Sequence, residues 1–94
     1  MAIDFDPMKT VNEHWGDKMP MMAMEEMSEL IQAISKFERH YFDDDFAVKE
    51  MYYKQAIVAE MADVSIACAA LCHRYDISPA DVGEAIFKKM DKKY

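Results

Sequence analysis

Five carboxylates stand out for their type, spacing and surroundings. Glu25, Glu26 and Glu29 lie in MPMMAMEEMSELIQAIS, and Glu60 and Asp63 lie in AIVAEMADVSIACAALC. On a helix each residue turns about 100°. On that wheel Met19, Met22, Ala23, Glu26, Leu30, Ala33 and Phe37 form one stripe. Glu26 sits in its middle, Glu29 on its edge one turn on, and Glu25 farther round. In the second stretch Glu60 shares a stripe with Tyr53, Ile57, Val64, Ala67 and Leu71, and Asp63 lies one turn away against Ala56, Ala67 and Ala70. A helix this apolar is expected to be buried on most sides, and its acids with it.

Buried carboxylates must be neutralised, paired or metal-bound. No Lys or Arg occurs between Lys18 and Lys36, or between Lys54 and Arg74. Salt bridges one turn away therefore cannot neutralise Glu29, Glu60 or Asp63. Two inward carboxylates on each of two helices make an all-oxygen site, which suits Mg²⁺, Mn²⁺ or Ca²⁺. The solvated-face account fits the first group taken alone, because glutamates three apart are common on exposed helices. It fits Glu60 and Asp63 poorly, because their neighbours are apolar. A di-iron bundle would need Glu-x-x-His motifs, and His14, His40 and His73 do not follow a Glu by three.

The elements that must position these acids are helices. The chain has 94 residues, which suggests one domain with a modest core. Hydrophobic residues make up 52%, with only 2 Gly and 3 Pro, against disorder and against a turn-rich β fold. Asp6-Pro7 predicts a helix over 7–15, with Asp6 as cap. Pro20 opens a second helix over 20–41. Asp43, Asp44 and Asp45 predict a turn and cap before a long helix over 46–75. Ser78-Pro79-Ala80-Asp81 resembles a capping box that starts a last helix to about residue 92. The fold expected is all-α, a four-helix bundle.

Acids outnumber bases 18 to 11, for a net charge of −7. That argues against a nucleic-acid polymer as partner, which would need clustered Lys and Arg. Small anionic ligands fit if a metal ion bridges the like charges. The N-terminus shows no signal-peptide pattern, so a cytoplasmic protein is expected. The most apolar stretch, 56–72, contains two acids and is shorter than a bilayer span, so no membrane segment is read. Cys68 and Cys72 read as small core residues rather than as zinc ligands with His73. The Met-rich run from Met19 to Met27 reads as core packing.

Glu25-Glu26-Met27-Ser28-Glu29-Leu30, followed by Glu60-Met61-Ala62-Asp63-Val64, resembles the E-E-x-x-E and E-x-x-D signature of the MazG-like all-α nucleoside triphosphate pyrophosphatases. The resemblance covers about residues 20–92. It implies hydrolysis of a nucleoside triphosphate between the α and β phosphates, giving a monophosphate and pyrophosphate, with Mg²⁺ as cofactor or Mn²⁺ in its place. It implies metal ligation by Glu26, Glu29, Glu60 and Asp63, and a water-orienting or water-deprotonating role for Glu25. It implies base stacking by His14 and Trp15, a pair that reads equally well as a hydrophobic staple closing the bundle. It also implies a phosphate contact from Lys89, and a homodimer or homotetramer. The chain departs from the family at its end, where an Asn and a terminal Arg that often follow the Lys are absent. The spacing from Glu29 to Glu60 is also at the long end. A reading of another class is a catalytically silent helical interaction module of the same fold. Against it, a silent bundle would gain by replacing four inward acids with Leu or Ala.

Overall fold

A computed structural model describes residues 7–94, and the expected cap at Asp6 lies outside the described residues. The described chain is helical, with no strand. Helix α1 spans Pro7–Trp15, α2 Met19–His40, α3 Phe46–Arg74 and α4 Pro79–Lys93, with a 3₁₀ turn at Gly16–Lys18 between the first two. Each falls within a residue or two of its expected bounds. Gly16 has φ of 57°, a left-handed conformation that favours glycine and lets α1 end there.

The local reasons differ in part from those expected. Asp45 sits at the start of α3 but makes no side-chain cap bond. It is pulled instead to Lys49 at 2.9 Å. That pairing lowers the Asp45 pKa and raises that of Lys49. Ser78 does cap α4, its Oγ accepting from the Ala80 N–H at 3.2 Å.

Helices α2 and α3 form an antiparallel hairpin, and α1 packs back on α3. The two stripes read from the sequence face inward: Met19, Ala23, Tyr53, Ala67 and Ala70 are buried, and the residues between them are half-buried. Two side chains tie α1 and its turn to α3. Asn12 Nδ2 donates to the Ala70 carbonyl at 3.0 Å, and Arg74 donates to the Gly16 carbonyl at 2.9 Å.

The close packing joins three helices rather than four. No residue of α4 is buried. Helix α3 also differs from expectation, because the side facing away from α2 is open. Val48 is 86% exposed, and Val58, Met61 and Ile66 are exposed too. Cys68 is exposed and Cys72 half-buried, so the core role expected for Cys68 is not met. In the Met-rich run Met19 is buried, but Met21 and Met24 are exposed. By length and composition alone α3 could cross a membrane, although Glu60 and Asp63 fall within its length. One such helix is weak evidence of a span.

Candidate metal centre

Glu26 enters from the second turn of α2, and Glu60 and Asp63 from the middle of α3. Small residues on both helices, Ala23, Ala67 and Ala70, let the backbones come close here. One oxygen from each of Glu26, Glu60 and Asp63 lies within 4.8 Å of the others. Two oxygens bound to one Mg²⁺ or Ca²⁺ are never more than about 4 to 5 Å apart, twice the metal–oxygen distance. At 4.8 Å the spacing falls within the reach of Ca²⁺, and Mg²⁺ would need the three oxygens to draw a little closer. Glu29 adjoins it, within hydrogen-bond reach of both Glu26 and Glu60.

The electrostatics follow from crowding. Partial burial raises the Glu26 pKa, helped by repulsion from Glu29, Asp63 and Glu60. Partial burial also raises that of Glu60, helped by Glu29 and Asp63. No base lies in the cluster to offset them. Glu26 Oε2 and Glu60 Oε2 are both shut off from solvent without a hydrogen-bond partner. Buried acceptors left in this way are costly, and a proton or a cation would satisfy them.

The acids are less enclosed than the sequence suggested. Glu26 and Glu60 are half-buried and Asp63 is exposed. The reason is the open side of α3 and the absence of α4 from the packing. The cluster is a cleft wall rather than a sealed core.

On one side the cluster opens into a cavity of about 330 Å³. Its lining includes Glu26 and Asp63 together with Val11, His14, Trp15 and Ile66. His14 and Trp15 are therefore brought beside the acids. Trp15 also packs against the buried Met19 and Ala cluster. Two expected residues are not brought there. Glu25 is exposed and lines no cavity bordering the acids. Lys89, on α4, lines a separate depression with Lys92, Lys93 and Tyr94.

Sequence reasoning missed Val11 and Ile66. Both could have been found by helical spacing, Val11 one turn before Trp15 and Ile66 one turn after Asp63. It also missed Asn12, whose amide fixes α1 on α3, because nothing in the sequence names the carbonyl it meets. Among the described residues the Cys and His side chains form no metal-binding group. No family model, curated protein or solved structure matches the chain.

Proposed function

We propose that the chain is a Mg²⁺-dependent nucleoside triphosphate pyrophosphohydrolase of the MazG-like kind, working as a homodimer or homotetramer. The observation that carries this reading is the triad of Glu26, Glu60 and Asp63, gathered within 4.8 Å, with two of its oxygens buried and unpartnered. A divalent cation held there would neutralise phosphate charge and lower the pKa of a bound water. The three carboxylates would hold the ion. Glu29, beside the triad, orients Glu26 and Glu60 and is placed to accept the proton of the attacking water, a role that the exposed Glu25 is less well placed to fill. The Trp15 ring with Val11 and Ile66 offers an apolar wall for a flat base, and His14 a polar edge. Water adds across the bond between the α and β phosphates, and the products are a monophosphate and pyrophosphate.

Assembly is supported by the apolar surface. The chain exposes 7699 Å², against about 5,600 Å² for a folded monomer of this mass. The excess is of the size an obligate partner covers. Much of it is apolar, on the open side of α3 and on α4, where Phe87 is 73% exposed and Ile86 and Met90 are exposed. Patches of this kind mark association surfaces.

The same surface favours the second reading, a catalytically silent interaction module. Both readings expect association, and only the first expects turnover. The deciding experiment is a panel of ribo- and deoxyribonucleoside triphosphates assayed for pyrophosphate release with Mg²⁺. At least one should give monophosphate and pyrophosphate in equal amounts, and a chelator should stop it. No release from any member would leave the silent module.

A further inference from the structure

The acid cluster borders a second cavity, on the side away from Trp15. This groove between α2 and α3 measures about 520 Å³. Glu29 and Glu60 form its acidic end, and Gln32, Lys36 and Arg39 line the rest from α2, with Ala56 opposite on α3. Lys36 and Arg39 follow Glu29 by seven and ten residues, which places them about 10 and 15 Å along the helix axis. The cluster therefore stands between an aromatic, apolar cavity and a groove that becomes basic.

The two cations of the groove are free in a way that others nearby are not. Lys49 and Lys54 on α3 are held by Asp45 and Glu50, at 2.9 and 3.1 Å. Among the described residues neither Lys36 nor Arg39 makes an ion pair. Arg39 Nε donates to the Ser35 carbonyl at 3.4 Å, which leaves its terminal nitrogens for another acceptor. A guanidinium and an ammonium at the end of a groove suit phosphate oxygens. The lysines of α4 form another basic patch, but it does not adjoin the acids.

We propose that the phosphate chain of the ligand runs from the acid-bound cation into this groove, where Lys36 and Arg39 bind its terminal phosphates. This inference rests on the nucleotide reading above and assigns the anion contact to α2 rather than to Lys89. It divides the ligand by chemistry: the flat apolar part lies toward Trp15, the cation at Glu26, Glu60 and Asp63, and the polyanion toward Arg39. Both cations also lie near the C-terminal end of α2, where positive charge stabilises a helix, so the test must separate binding from stability.

The probes are the nucleotide that the panel identifies and inorganic pyrophosphate with Mg²⁺. The variants are the double Lys36→Ala/Arg39→Ala, the charge-preserving Lys36→Arg, and Lys89→Ala. The double variant should raise KM for the triphosphate and Ki for pyrophosphate by tenfold or more, with a smaller fall in kcat. Lys36→Arg keeps the charge and should leave both within about threefold of wild type. An active double variant with unchanged KM and Ki would overturn the proposal, as would a larger KM effect from Lys89→Ala. Should the wild-type protein turn over no nucleotide, the nucleotide reading falls by itself. Calorimetry with Mg²⁺ and pyrophosphate then decides this one, since binding by wild type that the double variant loses supports the groove, and no binding by wild type overturns it.

Discussion

The two ends of the α2–α3 hairpin solve opposite problems. Near the turn the helices are joined by rings. Phe37 meets Phe46 edge-on at 5.2 Å, and Phe46 stacks near Tyr53 at 6.1 Å. His40 lies flat on Tyr53 at 5.4 Å while its Nδ1 reaches Asp43 at 2.7 Å. At the other end Met19, Ala23, Ala67 and Ala70 make a small core, and three carboxylates crowd beside it. One end gains stability from large buried rings. The other holds carboxylates out of water and beside one another, and partial burial first, then repulsion, raises the Glu26 and Glu60 pKa values. A small, fully buried core and a ring cluster hold the two ends, so the acids are crowded beside good packing, and crowding of this kind is a mark of functional sites.

The contrast breaks most sharply at the aromatic end. Phe46→Ala removes a buried ring and should cost about 3 to 5 kcal/mol, a large part of the stability of a small domain. Thermal unfolding followed by circular dichroism should show a broad, early transition. A melting temperature within two or three degrees of wild type would mean that the rings are ornamental.

At the acid end the expected sign is reversed for stability and severe for activity. Glu60→Gln removes a metal ligand and should lower Mg²⁺-dependent activity by about 100-fold or more. Without metal the same variant should melt higher than wild type, because it relieves repulsion from Glu29 and Asp63. Full activity in this variant would remove the acids of α3 from the mechanism.

The raised pKa values also fix a pH dependence. Folded Glu26 and Glu60 hold protons to higher pH than they do in the unfolded chain. Between the two values the folded state binds more protons, so stability without metal should fall as pH rises through that window. Mg²⁺ binds the ionised acids, so its stabilising effect should grow over the same range. Melting curves from pH 5 to pH 8, with and without Mg²⁺, should diverge. A Mg²⁺ effect that shrinks with rising pH would contradict the assignment.

The smallest effect concerns how α1 is held. Asn12→Ala loses the bond to the Ala70 carbonyl and should cost about 1 kcal/mol. Because α1 carries Trp15, KM should rise a few-fold with kcat nearly unchanged. An unaltered KM would show that Trp15 is placed by packing alone.

Most of the secondary structure was legible because Pro, Gly and Ser punctuate the helices, because α2 has a clear 3.6-residue period, and because α3 is a long apolar run without strand alternation. The acids were legible for the same reason, as interruptions of those stripes. What was not legible is what each apolar face meets. The open side of α3 and the exposed face of α4 are written in the same residues as a core, and periodicity does not say whether the covering surface belongs to the same chain. That is why Cys68 and Met24 read as buried and are not. Lys36 was legible only as one of several bases that could meet an anion in place of Lys89, and Arg39 was hidden because a base in the last turn of a helix is ordinary. Only the groove makes them notable.

The most direct test of the account is to locate a divalent cation. Crystals grown or soaked with Mn²⁺, measured for anomalous scattering, should show a peak within coordination distance of Glu26, Glu60 and Asp63. The peak should vanish in Glu60→Gln. Saturating Mn²⁺ with no peak at the triad, or with one only elsewhere on the acidic surface, would contradict the claim that these three carboxylates form a metal centre.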